Sequence, residues 1–422
     1  MSKINIATRR QFLAGGLGLV GVGSALPNFL VNSALGAAQE PANHKIVVAL
    51  YLYGGHDGAS DAVPYGHDEY HKIRPNIRYT EKEVHKLNDE VGLHPNLTGF
   101  KELYDQGSLA VVLGTGYPSF NYSHFLGRKI WETGDPLVRS RAENTSWDSA
   151  VLHGWLGKYC DHAFKGKVDT TLALRVGGGL APIAIKGVEH PAISFTSPNS
   201  FSFTADRSEK GLALYNKLNQ LDSDKVQKDL QFVTQTASHA NASSDKIREL
   251  AANYKPKVEY PESGVANSFR TIAGLINGGL STRLFYLSQG GFDTHSNQKP
   301  GFDNLMTQIN GGVSAFYKDL AQHGNADRVL TFTFSEFGRR VKENKSKGTD
   351  HGAAQPMFLI GSGVKAGVHG KQPPFDEETT KKDNFPMQLD FRHVYAAILE
   401  KWLKTPSEAI LRGKFAPTDC IA

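Results

Sequence analysis

Cysteine is scarce in this chain, with Cys160 and Cys420 the only two among 422 residues. That excludes a cysteine-built zinc site and a disulfide-dense scaffold, leaving at most one bridge. Past the first forty or so residues no long apolar run recurs, so the segment beyond residue 38 is expected to be soluble and without a membrane anchor. Charge is close to balanced, 47 Lys and Arg against 42 Asp and Glu. No basic stripe with interleaved aromatics is present, which argues against nucleic acid as a partner. A glycine fingerprint for dinucleotides is also missing, which argues against a redox protein with a bound nucleotide.

The N-terminus carries a pattern of its own. Arg9 and Arg10 precede an apolar, glycine-rich run from Ala14 to Val31, and Ala34-Leu35-Gly36-Ala37-Ala38 follows as a small-residue patch. Paired arginines, a weakly hydrophobic core and a small-residue cleavage zone together read as a twin-arginine export signal over residues 1–38. The expectation is a periplasmic or extracellular protein, with the twin-arginine translocase as a partner during export. Residues 39–422 are ample for one large α/β domain.

Apolar runs of strand length recur at Lys45–Tyr53, Leu109–Leu113, Thr171–Val176, Arg283–Leu287, Val329–Phe334 and Met357–Ile360. Helical patterns lie between several of them, at Asn96–Gln106, Tyr122–Glu132, Ser149–His162, Phe302–His323 and Asp390–Lys404. This alternation predicts an α/β fold, a mostly parallel, doubly wound sheet with helices on both faces. A polar, lysine-rich stretch within about 208–280 reads as a helical insertion.

Polar clusters follow the strands. Gly54-Gly55-His56-Asp57-Gly58 closes the first, Gly290-Gly291-Phe292-Asp293-Thr294-His295 the fourth and Ser335-Glu336 the fifth, with Gly348-Thr349-Asp350-His351-Gly352 one loop later. In open α/β sheets the carboxyl ends of parallel strands share one edge, where ligand sites gather. Asp57, Asp293, His295, Glu336, Asp350 and His351 are therefore candidate ligands of a divalent metal, with zinc, magnesium, manganese and calcium all open. Between the second strand and its helix lies Tyr117-Pro118-Ser119-Phe120-Asn121-Tyr122-Ser123-His124. A serine at a helix start suits an anionic substrate and an alkoxide nucleophile, but equally suits helix capping. Ser119 and Ser123 are the candidate nucleophiles and His124 a candidate base or ligand. Arg339 is expected to pair with Glu336.

These motifs, with Leu93-His94-Pro95, Ser123-His124-Phe125, Gly154-Trp155-Leu156-Gly157 and Asp390-Phe391-Arg392, resemble a bacterial family of twin-arginine-exported proteins, the domain of unknown function numbered 1501. That family is in turn similar to the alkaline-phosphatase-like superfamily of phosphatases and sulfatases. The resemblance implies metal-dependent phosphoryl or sulfuryl transfer through a covalent intermediate. On it, Asp57 matches the first-strand ligand, Ser119 or Ser123 the nucleophile, and Asp293 with His295 the acid and histidine of a second metal. Glu336 matches the late strand-end ligand and His351 the final histidine. The chain departs from the pattern in the close spacing of Asp293 and His295, in Phe337 where a ligand histidine would stand, and in lacking a cysteine near the nucleophile. The expected function is an exported metal-dependent hydrolase acting on an anionic phosphate or sulfate ester. The alternative is a non-catalytic protein of the same fold that binds a surface polymer, with a structural metal or none.

Overall fold

The computed structural model describes residues 44–138, 152–165, 169, 171–190, 192–200, 213 and 243–422. The expected export signal and residues 208–212 and 214–242 of the expected helical insertion lie outside the described residues. Twelve strands are described: β1 Ile46–Leu52, β2 Ala62–Val63, β3 His85–Lys86, β4 Gly92–Leu93, β5 Leu109–Gly116, β6 Ala173–Val176, β7 Ile193–Phe195, β8 Leu284–Gln289, β9 Val329–Phe334, β10 Gln355–Ile360, β11 Gly367–Gly370 and β12 Leu389–Asp390. Nine form one sheet in the order β11-β5-β10-β9-β1-β8-β6-β7, with β12 also on β5, and β2, β4 and β3 make a small antiparallel ribbon. Every pairing in the large sheet is parallel except those of β10, which runs antiparallel to both β5 and β9.

The strands are apolar along their whole length because both faces are covered. Val48, Leu50, Val111, Phe285 and Leu287 point to one face, and Val47, Ala49, Val112, Tyr286 and Phe332 to the other. The first face is packed by helices α1 Thr98–Asp105, α4 Gly264–Asn277 and α5 Gln298–Gln322; the second by α2 His124–Thr133, α3 Trp155–Ala163 and α6 Phe391–Ala397. Trp131 of α2 stacks on Phe391 of α6 at 4.2 Å between ring centroids. Truncating a buried aromatic of this kind to alanine costs about 3–5 kcal/mol. Cys160 and Cys420 are both buried free thiols within this second layer. Among the described residues no helix is long and apolar enough to cross a membrane.

The winding fixes where the polar clusters go. Tyr51 pairs with Phe334 and with Ser288, so β1, β9 and β8 end level with one another. Since β10 is antiparallel, its start rather than its end lies at this edge, with Gln355 opposite Thr115 near the end of β5. The loop holding Asp350 and His351 is thereby delivered to the same edge as the loops after β1, β5, β8 and β9.

Candidate metal centre

Close approach of the edge loops depends on glycine. Gly54 has φ +126°, and a Cβ there would lie 2.4 Å from the amide nitrogen of Asp293. A Cβ on Gly348 would lie 2.3 Å from the carbonyl carbon of His295. Without side chains at these two places, the loop after β1 and the loop before β10 both rest on the loop after β8. Further bonds lock the arrangement: Gly54 N–H donates to Glu336 Oε1 at 3.0 Å, and the Ser335 hydroxyl donates to the Leu52 carbonyl at 2.6 Å.

Four ligand-type side chains meet on this support. Donor atoms of His124, Asp293 and His351 lie within 4.8 Å of one another. His295 joins them, its Nε2 standing 3.0 Å from His351 Nε2 and 2.9 Å from Asp293 Oδ1. His351 Nε2 is 3.2 Å from the same carboxylate oxygen, and His124 Nε2 is 3.7 Å from Asp293 Oδ2.

The other nitrogen of each ring is already committed. His124 Nδ1 is 2.6 Å from Glu336 Oε1, His295 Nδ1 is 2.9 Å from Asp350 Oδ1, and His351 Nδ1 is 2.9 Å from the Tyr122 carbonyl. Carboxylates and carbonyls only accept, so each Nδ1 must carry a hydrogen. In the neutral rings all three Nε2 atoms are then bare lone pairs, turned toward one carboxylate. Such a group of acceptors holds together around a positive charge, either a metal ion or a proton carried by one of the rings. Imidazoles whose distal N–H is fixed by a carboxylate or carbonyl are the usual form of metal-ligating histidines.

Three nitrogens and one carboxylate suit a borderline metal such as zinc better than magnesium or calcium, which prefer an all-oxygen shell. Asp293 and His295 are about half exposed, leaving the cluster open to solvent. Burial alone would raise the Asp293 carboxyl, but the Arg339 guanidinium, 2.7 Å from Oδ1, outweighs it and holds the group below the usual carboxylate range. For Glu336, burial is likewise outweighed, chiefly by the bond from His124, and its pKa is lowered. Burial lowers the His351 imidazole, favouring the neutral ring.

The remaining sequence candidates are placed differently. Asp57 is buried, with Oδ2 accepting from Arg74 Nη1 at 2.6 Å, Gln298 Nε2 at 2.6 Å and the Ser60 hydroxyl at 2.7 Å. Its charge is thus matched by a buried guanidinium, itself tied to the carbonyls of Val341 and Arg340. Glu336 and Asp350 contact the cluster through His124 and His295. Arg339 departs from the expected pairing with Glu336: it bonds Asp293 and the carbonyls of Gly54, Gly55, Phe292 and Thr349. The cause is the path of the chain after β9, which carries this side chain under the glycine loop.

Ser123 caps α2, its hydroxyl accepting from Leu126 N–H at 3.5 Å. Ser119 is exposed and held at φ +54°, a left-handed conformation unusual for a residue with a side chain. Phe337, in the place of a ligand histidine, packs its ring against His124 and His351 at 4.8 and 4.5 Å. Sequence reasoning left His124 undecided between base and ligand; its place at the first position of the helix after β5 was the available signal. Arg74 and Gln298 carried no such signal, since neither follows a strand.

Residues 44–402 match the family described as "Protein of unknown function (DUF1501)". The chain belongs to that family. Solved structures similar to this DUF1501 member include Ps i-CgsB, at 10% identity over 88% of this chain and 73% of that one, with a TM-score of 0.41. The PsFucS1 sulfatase from Pseudoalteromonas sp. gives 13%, 92%, 70% and 0.39 in the same order. The zinc-bound C-terminal periplasmic domain of EcEptC from Escherichia coli gives 11%, 77%, 75% and 0.35. No curated protein matches the chain.

Proposed function

We propose that this protein is an exported, metal-dependent hydrolase of phosphate or sulfate esters, with one divalent ion, zinc by preference, held by His124, Asp293, His295 and His351. The observation that carries the reading is the convergence of three Nδ1-anchored imidazoles and a carboxylate at the open edge of the sheet. A bound ion would supply Lewis-acid polarisation of the anionic ester group. The chain's own residues do the rest. Glu336, Asp350 and the Tyr122 carbonyl keep each ring in one tautomer, and Arg339 keeps Asp293 ionised. Ser119 or Ser123, on the segment entering α2, is the proposed nucleophile, and Asp350 the group that moves its proton. The partners remain those expected from the sequence: an anionic ester or surface polymer, and the twin-arginine translocase during export.

A second reading, a binding protein with a structural ion, is favoured by the capping role of Ser123. The exposure of Asp293 and His295 weighs against it, because structural sites are closed and catalytic ones keep a position open. The deciding experiment pairs elemental analysis of the purified protein with turnover of 4-nitrophenyl phosphate, bis(4-nitrophenyl) phosphate and 4-nitrophenyl sulfate, before and after chelation. Chelator-sensitive turnover restored by zinc is expected. Protein that carries no metal and turns over none of the three would end the hydrolase reading.

A further inference from the structure

Three large aromatic side chains are exposed among the described residues; one faces the His124 ring and the other two lie within two residues of His124 in the chain. They are Tyr53 at 47% exposure, Tyr122 at 45% and Phe125 at 68%. The exposed large aliphatic ones, Leu137, Leu180 and Val188, belong to other segments. Leaving a tyrosine ring half in water at a rigid position forgoes burial that the fold could have used, so a concentration of such rings at one place points to a ligand.

Their positions are set by the ligands themselves. The Tyr53 ring lies 6.1 Å from the His124 ring and is backed by Tyr51 at 5.8 Å. Tyr122 gives its carbonyl to His351, and its ring is steadied by Phe120, edge-on at 5.0 Å, and by the Arg340 guanidinium 5.7 Å from its centroid. Arg340 is itself partly exposed and only loosely paired, 3.5 Å from Asp383. Its backbone N–H donates to the Asp350 carbonyl at 2.9 Å, which places it beside the cluster.

The geometry points to a sugar as the group that carries the ester: Tyr53 and Tyr122 form a platform for a pyranose ring, with Arg340 facing an anionic substituent. The inference rests on the metal-centred reading of the same site. The chemistry selects this class. A tyrosine ring offers a flat π-face to the C–H bonds of a sugar and a hydroxyl to its oxygens, combining an apolar body with a polar tip. An alkyl chain would instead call for exposed aliphatic residues next to the ligands, and the exposed rings there are aromatic.

The test uses zinc-replete full-length mature protein with two matched pairs of probes, glucose 6-phosphate with methyl phosphate and glucose 6-sulfate with methyl sulfate. Hydrolysis of each is measured, along with saturation transfer from protein to the sugar C–H protons by ligand-observed NMR. Within at least one pair the sugar ester is expected to have the higher kcat/KM by about tenfold or more, a margin that Tyr122→Ala or Tyr53→Ala removes and Tyr122→Phe keeps. The pair showing the margin tells phosphate from sulfate. Equal turnover of sugar and methyl esters, with no saturation of the sugar, overturns the platform and leaves the hydrolase standing. Saturation that is lost in Tyr122→Ala, without turnover of any ester, upholds the platform and removes the hydrolase. Neither saturation nor turnover removes both.

Discussion

His295 and His351 turn their Nε2 atoms on each other at 3.0 Å, while the Nδ1 of one is tied to Asp350 and that of the other to the Tyr122 carbonyl. Two ring nitrogens at that distance repel unless a metal ion or a shared proton lies between them. The pair is therefore the most direct reporter of metal binding. Replacing either histidine with alanine is expected to abolish stoichiometric zinc binding in competition with a chromophoric chelator, while the circular dichroism spectrum is kept.

Asp350 acts one step out, so its effect is graded. Asp350→Asn removes the charge that holds His295 Nδ1–H, and zinc affinity is expected to fall about 10–100-fold. An unchanged affinity in the same chelator competition would remove Asp350 from the site.

Asp57 and Asp293 follow strands in the same way, yet their neighbours separate them. Asp57→Asn leaves Arg74 buried and uncompensated, and is expected to lower unfolding free energy by about 3–5 kcal/mol with zinc stoichiometry of the folded protein intact. Asp293→Asn is expected to do the reverse, losing zinc with a smaller effect on stability. Urea titration and elemental analysis of both variants measure this, and zinc loss in the Asp57 variant would restore it as a ligand.

His94 gives a pH dependence that does not involve the metal. It is buried on Asp303 at 2.9 Å, and burial, outweighing that partner, lowers its pKa to about 4. The unfolded chain takes up the proton near pH 6.5 and the folded chain does not, so stability is full above that pH. It is lost as pH falls toward 4, by up to about 3 kcal/mol. His94→Asn is expected to flatten the unfolding free energy over this window.

Gly54→Ala tests the support of the site. The added Cβ would meet the Asp293 amide, at a φ that only glycine adopts freely. A loss of several kcal/mol, with weaker zinc binding because Asp293 is displaced, is expected from calorimetry and chelator competition.

Much of the fold was legible from local pattern. Val329–Phe334 is a strand over its predicted bounds, and the other five expected strands are present with ends shifted by up to three residues. The short strands β7, β11 and β12 gave too little periodicity to be read. The antiparallel sense of β10 was also hidden, because a buried strand in either direction is the same apolar run. Of the site, the acids and histidines after strands were legible as a set, while their pairings were not.

By itself the sequence determined where strands lie and which glycine-flanked polar residues leave their ends, because both depend on neighbours a few positions apart. Only the tertiary structure decided that Arg74 neutralises Asp57, that Arg339 takes Asp293, and that Glu336, Asp350 and a carbonyl each fix an imidazole. The physical reason is reach. Charge compensation and tautomer choice depend on atoms within about 3 Å, and those atoms come from segments as far apart as Gly54 and Glu336, which only the winding of the sheet makes neighbours.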